Sequence, residues 1–85
     1  MVTTRQIKAG RALLGWSQSD LASHSSVSEP TIARLESAEG ALRGRLETAQ
    51  KIRAAMELAG IEFIEENGGG AGVRLRKKAK SSTRN

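Results

Sequence analysis

The sequence has 85 residues, a net charge of +5 and no cysteine. A chain of this length forms one small domain, and the lack of cysteine excludes disulfides, thiolate metal ligands and a cysteine nucleophile. No apolar run approaches the roughly 20 residues of a membrane span and the first residues do not resemble a signal peptide, so we expect a soluble, cytoplasmic protein without membrane contacts.

Two short helices are predicted in the first third of the chain. The first begins near Thr4 and ends at Gly15, because glycine suits the left-handed conformation that follows a helix. Its apolar stripe has helical spacing and consists of Ile7, the stem of Arg11, and Leu14. The second helix is predicted over residues 18–24, because Ser17 and Asp20 have the spacing of a capping box.

Two further helices are predicted on either side of a polar loop. Ser28 is a good N-cap for a third helix over residues 29–37. Residues 38–45 are polar and contain two glycines, which indicates a loop. A fourth helix is predicted over residues 46–59 and ends at Gly60. Its expected inner stripe consists of Leu46, Ala49, Ile52, Arg53, Met56 and Ala59.

The apolar pattern changes from helical to alternating after the fourth helix. Residues 61–66 and 73–76 alternate on either side of a glycine-rich stretch, which predicts a β-hairpin. The remaining residues are charged and nearly without apolar side chains, so we expect a disordered basic tail. The predicted fold is mainly α, with four helices, a C-terminal β-hairpin and a short tail. The expected division is residues 1–60, 61–76 and 77–85.

The predicted second and third helices carry residues that fit one packing geometry. Ala22 is small where the third helix crosses close above it, and apolar residues form the seam between the two helices. The matching set is Gln18, Leu21, Ala22, Val27, Ser28, Ile32, Leu35 and Glu36. With this set, residues 5–60 resemble the helix-turn-helix domain of Cro/CI-type regulators, also called the XRE family. The resemblance implies a sequence-specific DNA-binding transcriptional regulator with its third helix in the major groove.

The resemblance implies two structural details besides the fold. Arg11 of the first helix is expected to form a partly buried ion pair with Glu36 at the end of the third. Ser26 stands at the turn where the family prefers glycine, which adopts a positive φ without a steric cost. Either Ser26 accepts a strain of about 1 kcal/mol or the turn differs slightly from the family's.

The resemblance also implies which side chains meet DNA. The candidates for reading bases are Glu29, Pro30, Thr31 and Arg34 on the outer face of the third helix, and Gln18. Arg34 suits guanine O6 and N7, Glu29 suits cytosine N4, and Pro30 or the Thr31 methyl suits the thymine methyl. Phosphate contacts are expected from Ser17, Ser28, Arg43, Arg45 and Lys8. Of the first-helix cations, Lys8 and Arg5 are the weaker candidates. For these cations, an ordinary solvated surface charge is the alternative.

The hairpin suggests a homodimer, because an isolated two-stranded hairpin is marginally stable and this one has apolar residues on both faces. The expected interface residues are Ile61, Phe63, Ile64, Val73 and Leu75. Either strands pair between copies, or the hairpin and fourth helix pack against their copies. A monomer whose hairpin closes its own core is the alternative. In a dimer, two third helices would meet an inverted repeat roughly 34 Å apart.

Other function classes fit the sequence less well. An enzyme is not expected, because the only histidine, His24, has no nucleophile or metal ligands nearby in sequence, and Gly68–Gly70 lacks the Gly-Lys-Ser/Thr of a P-loop. We expect no metal and no cofactor. A protein-interaction module such as an antitoxin or antiactivator is the main alternative, using the acidic residues Glu57, Glu62, Glu65 and Glu66. RNA binding by the basic tail is a third hypothesis.

The expected regulatory mode is repression, because the chain has no predicted effector domain besides the helix-turn-helix domain and the hairpin. The expected partners are double-stranded DNA and a second copy of the chain. Activation through contact with RNA polymerase is the alternative. The resemblance further implies a bacterial protein of a mobile element, such as a phage or plasmid.

Overall fold

The computed structural model describes residues 2–38, 40 and 44–76. Within them the chain forms four helices and an antiparallel hairpin, in the predicted order. The elements are α1 (Thr4–Leu14), α2 (Gln18–Ser25), α3 (Glu29–Ser37), α4 (Leu46–Leu58), β1 (Ile61–Ile64) and β2 (Gly72–Leu75). The mainly helical fold class is therefore confirmed. Arg43 and the predicted tail at residues 77–85 lie outside the described residues.

The residues predicted to begin the helices form hydrogen-bonded N-caps. Ser17 Oγ accepts from the Asp20 backbone N–H at 3.0 Å, and the Asp20 carboxylate accepts from the Ser17 N–H at 2.9 Å. Gly15 ends α1 in the left-handed region with φ 69°. None of the described helices is long and apolar enough to cross a membrane.

The turn between α2 and α3 keeps its left-handed conformation without glycine. Ser26 has φ 62°, and its backbone N–H donates to the carbonyl oxygen of Ala22 at 3.0 Å. A residue with a Cβ is strained there, at a cost of about 1 kcal/mol. The turn therefore does not differ from the left-handed turn of the family. Ser26 accepts the strain, and α2 ends in a left-handed cap.

One apolar core joins the helices to the hairpin. The predicted seam between α2 and α3 is confirmed, because Leu21, Val27, Ile32 and Leu35 are all buried. α1 and α4 approach closely at Gly10, where an added Cβ would collide with the terminal methyl of Met56. The buried apolar set is Val2, Ile7, Leu21, Val27, Ile32, Leu35, Ile52, Met56, Ile61 and Phe63.

The burial of the hairpin corrects part of the predicted dimer interface. Ile61 is 0% exposed and Phe63 is 9% exposed within a single protomer. Both side chains point to the helices, so they belong to the core of the protomer and not to a surface that a second copy can contact. Ile64 and Leu75, which were predicted with them, remain exposed.

The prediction for the inner face of α4 also included residues that the structure leaves exposed. Ile52 and Met56 are buried, but Leu46 is 74% exposed and Ala59 is exposed as well. At about 100° per residue, Leu46 lies roughly a quarter turn from the line through Ile52 and Met56. It therefore falls at the margin of the stripe, in the first turn of the helix.

A buried glutamine attaches the hairpin to α1. Gln6 Nε2 donates to the carbonyl oxygens of Ile64 at 3.2 Å and of Gly72 at 2.9 Å, at the turn end of the hairpin. Gln6 Oε1 accepts from the Thr3 N–H at 2.8 Å, which completes a capping box for α1. The spacing Thr3-x-x-Gln6 would have predicted the capping box, but nothing in the sequence indicates the bonds to the hairpin.

Candidate nucleic-acid interface

The outer face of α3 presents the predicted base-reading residues as a group. Glu29, Pro30 and Arg34 are exposed and Thr31 is half-buried, whereas Ile32 is fully buried on the opposite face. The apolar seam therefore fixes which side of α3 faces outward. The exposed face offers a cation, a carboxylate and apolar groups, which are the types of group that bind base edges.

The N-terminus of α3 is fixed by two hydroxyl groups. Ser28 Oγ accepts from the backbone N–H of Thr31 at 3.3 Å and donates to Thr31 Oγ1 at 2.8 Å. Ser28 is therefore the N-cap of the helix, as predicted, and its hydroxyl hydrogen is directed at Thr31. Both residues remain at the exposed start of α3, where N–H groups favour an anion such as phosphate.

A buried carboxylate links three helices. Glu36 at the end of α3 has a side chain only 3% exposed, and it accepts two hydrogen bonds from Arg11 of α1, each at 2.8 Å. Arg11 also donates to the carbonyl oxygen of Trp16, at 3.0 Å. The ion pair implied by the family resemblance is therefore present, and it is bidentate, which fixes geometry as well as charge.

Gln18 takes part in the same network. Its Nε2 donates to Glu36 Oε1 at 3.0 Å, so the first residue of α2 is tied to the end of α3. The sequence predicted Gln18 as a contact to DNA. In the protomer its amide nitrogen holds Glu36, and the side chain remains partly exposed at the start of α2.

The network changes the pKa values of both ionised partners. Burial raises the pKa of the Glu36 carboxyl, but the hydrogen bonds from Arg11 and Gln18 and the nearby positive charges outweigh it, so the pKa lies below its ordinary value of 4.5. The hydrogen bond to Glu36 is the main reason that the pKa of Arg11 is raised. Lys8 lies close enough for its charge to contribute to the lowered pKa of Glu36.

We expect the lowered pKa of Glu36 to make the fold sensitive to acid. A carboxyl whose pKa is lower in the folded state stabilises the protein above its unfolded pKa, and this stabilisation is lost as the pH falls through the folded value. The free energy of unfolding should therefore decrease below about pH 4.5. Urea unfolding of the wild type and of Glu36→Gln measures this: the variant should be less stable at neutral pH, and the difference should shrink in acid. A difference that does not change with pH would contradict this role of Glu36.

The structure brings two arginines to one cleft beside α3. Arg34 of α3 and Arg45, the N-cap residue of α4, line an open cavity of about 390 Å³. Its other lining residues are Thr31, Leu35, Gly44 and Thr48. Arg45 makes no side-chain cap to α4, and both arginines are exposed. Two cations and two hydroxyl groups around an open cleft suit a phosphate oxygen. The sequence predicted both arginines as DNA contacts but gave no reason to expect them in one cleft.

The remaining phosphate candidates lie on exposed helix surfaces. Ser17 is the N-cap of α2, and Lys8 and Arg5 are exposed on α1. Near Ser17, the rings of Trp16 and His24 stack with centroids 4.2 Å apart, a contact that the sequence did not predict. His24 Nδ1 also lies 2.9 Å from the carbonyl oxygen of Asp20. Among the described residues, no cluster of three or more histidine or acidic side chains is placed to hold a metal ion.

Comparison with known proteins agrees with this geometry. The sequence model of a family described as "Helix-turn-helix" matches residues 7–59, which is more than half of the chain. The matched span begins in α1 and ends at the C-cap of α4, so it includes the outward face of α3 and excludes the hairpin. A comparison with curated proteins finds no match.

Proposed function

Since the chain belongs to the helix-turn-helix family of the Cro/CI (XRE) type, whose members are DNA-binding transcriptional regulators, we propose that it is a sequence-specific repressor. It acts as a homodimer on an inverted-repeat operator and represses by occluding a promoter. The observation that carries the proposal is the outward row Glu29, Pro30, Thr31 and Arg34, which a buried seam holds on one face of α3.

Direct base contacts come from this outward row. The guanidinium of Arg34 has the geometry to donate two hydrogen bonds to guanine O6 and N7. Glu29 accepts from cytosine N4, and Pro30 or the Thr31 methyl packs against a thymine methyl. Gln18, at the start of α2, contacts DNA with the part of its amide that Glu36 does not occupy.

Contacts to the phosphate backbone position α3 in the groove. Arg45 approaches one phosphate from the cleft that it shares with Arg34. Ser17 and Ser28 present the starts of α2 and α3 to the backbone, where helix N-termini favour anions. Lys8 contributes a cation from α1. Arg43, which lies outside the described residues, is proposed to contribute another.

Dimerisation gives the proposed operator its symmetry. Two copies related by a twofold axis present two α3 helices to successive major-groove faces, roughly 34 Å apart, on an inverted repeat. Linking two weakly binding helix-turn-helix domains in this way raises the affinity for DNA without any new base contact. We propose occlusion of a promoter, and not activation through contact with RNA polymerase, as the mode of regulation. A cytoplasmic protein of a bacterial mobile element would fit this role.

The protein-interaction alternative is less well supported by the acidic residues. Glu57 is paired with Arg53 at 2.9 Å, and Glu62 is paired with Arg74 at 2.8 Å. Much of the acidic charge that a basic protein partner would need is therefore already neutralised within the protomer. These internal pairs favour DNA, not an antitoxin or antiactivator partner, as the main ligand.

A salt-titrated electrophoretic shift assay with competitor DNA tests the proposal. We expect the logarithm of the affinity to fall linearly with the logarithm of the salt concentration, as phosphate contacts require. At a fixed salt concentration, one sequence should resist random competitor DNA. Equal competition by every sequence would contradict sequence-specific regulation, and a lack of binding at low salt would favour the protein-interaction alternative.

Arg34→Ala is expected to reduce the binding free energy at the preferred site by about 1 to 3 kcal/mol. It should also relax the base preference at one position of each half-site, because Arg34 is proposed to contact a base edge directly. Shift assays on the preferred site and on its single-base variants measure both effects.

Arg45→Ala is the matched control, since it removes the other arginine of the same cleft. It should weaken binding to all sequences alike and reduce the salt slope by about one. Equal losses on preferred and random DNA for Arg34→Ala would show that Arg34 touches only phosphate.

A further inference from the structure

In the turn of the hairpin, Asn67 is followed directly by Gly68. Residues 65–71 connect β1 to β2, and all of them are exposed. The chain has two asparagines, Asn67 and Asn85. Asparagine is chemically labile because the carbonyl carbon of its side-chain amide can react with the backbone nitrogen of the next residue. The structure of the turn therefore determines whether Asn67 can react in the folded protein.

The backbone nitrogen of Gly68 is accessible to the Asn67 side chain. Among the residues that the structure describes, none accepts a hydrogen bond from the Gly68 N–H and none binds the Asn67 side chain. Gly68 has φ 84°, a conformation that glycine adopts without a steric cost. A Cβ added at Gly68 would meet nothing within 4 Å. The turn therefore holds an amide carbon next to a nitrogen that neither a hydrogen bond nor a side chain blocks.

We propose that Asn67 is a site of spontaneous deamidation, with water as the only co-reactant. The Gly68 nitrogen loses its proton to hydroxide, attacks Cγ of Asn67 and closes a five-membered succinimide ring. The bond between Cγ and Nδ2 breaks, and the leaving nitrogen takes a proton from water and departs as ammonia. The reaction needs no catalyst because both reacting groups belong to adjacent residues, and an intramolecular attack avoids the entropic cost of bringing two molecules together.

Water then opens the ring at one of its two carbonyl carbons. Opening at Cγ breaks the bond from Cγ to the Gly68 nitrogen and leaves aspartate in a normal backbone. Opening at the backbone carbonyl carbon leaves isoaspartate, in which the chain continues through Cγ. Each route consumes one water molecule, and no group is oxidised or reduced. Either product replaces a neutral amide with a carboxylate, so the turn gains a negative charge near Glu65 and Glu66.

The contacts of the hairpin confine the change to the turn. Gln6 binds the carbonyl oxygens of Ile64 and Gly72, which lie on either side of the turn, and these two residues also form the last pair of the sheet. Residue 67 belongs neither to the strands nor to the buried core. The modified chain should therefore keep its fold while its net charge decreases with the age of the protein. This inference goes beyond the proposed function and does not depend on DNA binding.

Mass spectrometry of the full chain during incubation in mildly alkaline buffer tests the proposal. Each modified chain should gain the mass difference between a hydroxyl and an amino group, and peptide mapping should locate the gain at residue 67. The rate should rise with the hydroxide concentration, because the attacking nitrogen must first lose its proton. Methyl transfer by a protein isoaspartate methyltransferase should label the isoaspartate fraction.

Gly68→Ala tests whether the missing side chain permits the attack. A methyl group beside the attacking nitrogen hinders its approach to Cγ, so the rate at residue 67 should fall about tenfold. Gly70→Ala is the matched control, since a Cβ at Gly70 also meets nothing within 4 Å but lies two residues farther along the turn. It should change the rate by less than about twofold. Equal rates in the wild type and Gly68→Ala would overturn the proposal.

Asn67→Gln and Asn67→Asp separate the reaction from its consequence. Glutamine would have to close a less favourable six-membered ring, so Asn67→Gln should show no mass gain at residue 67. Asn67→Asp has the charge of the product and should keep the helical circular dichroism and the urea midpoint of the wild type. A midpoint well below that of the wild type would contradict the confinement of the change to the turn.

The unfolded chain provides the reference for the effect of the fold. Because the folded turn leaves Asn67 and Gly68 unbound, the native protein should react within about threefold of the rate of the wild type in guanidinium chloride. A native rate below about a tenth of the unfolded rate would show that the fold protects Asn67, and it would overturn the inference. Sequence-specific binding in the shift assay would stand in that case, so failure of this inference is distinguishable from failure of the proposed function.

Discussion

Phe63→Ala is expected to lower the free energy of unfolding by about 3 kcal/mol. The Phe63 ring is 9% exposed and packs in the core of the protomer. The guanidinium of Arg53 lies 5.3 Å from the ring centroid and adds a cation–π contact that alanine cannot make. Urea unfolding followed by circular dichroism measures the loss, and sedimentation under native conditions measures the dimer dissociation constant.

The location of the Phe63 ring determines whether the lost stability appears as unfolding of the protomer or as dissociation of the dimer. Because Phe63 is buried within one copy, the variant should be less stable but should dimerise with an unchanged dissociation constant wherever it remains folded. Phe63→Leu, which keeps most of the apolar volume, should lose less than about 1.5 kcal/mol. A large increase in the dissociation constant without a loss of protomer stability would place Phe63 in the interface instead.

Glu36→Ala is expected to lower the free energy of unfolding by about 2 to 3 kcal/mol. Removing one partner of a buried ion pair costs roughly 3 to 5 kcal/mol, and we expect less here because the Arg11 side chain is 20% exposed. The variant leaves Arg11 without its bidentate acceptor and Gln18 without its only acceptor in the network. Specific DNA affinity should fall as well, because this network holds the end of α3.

Two controls separate the network from a general effect of removing a carboxylate. Glu29→Ala removes an exposed glutamate from the same helix and should change stability by no more than about 0.5 kcal/mol. The double variant Arg11→Met/Glu36→Leu leaves no uncompensated charge and should be more stable than Glu36→Ala. A double variant that is less stable than Glu36→Ala would contradict this account of the network.

The sequence predicts the helices and the position of α3 well because those features depend on local signals. Capping pairs such as Ser17 and Asp20 fix helix starts within a few residues, and a buried residue such as Ile32 fixes which face of α3 points inward. The structure agrees with the sequence at each of these positions. The sequence shows serine at position 26, where the family prefers glycine. Whether the turn keeps its left-handed conformation with serine there depended on the whole turn.

Contacts between distant residues were not predictable in the same way. Gln6 binds carbonyl oxygens 58 and 66 positions away, and no local pattern indicates such partners. The alternation of the hairpin correctly placed Phe63 on an apolar face. Whether that face meets α4 of its own chain or a second copy depends on tertiary packing, and there the predicted interface was partly wrong.

Selection of bound fragments from a pool of random double-stranded DNA tests the central claim most directly. The full chain should enrich sequences that share an inverted repeat, with half-site centres about one helical turn, roughly 10 base pairs, apart. Arg34→Ala should enrich the same repeat with one relaxed position in each half. A pool that remains random after several rounds, at salt concentrations where the protein still binds DNA, would contradict sequence-specific regulation by this chain.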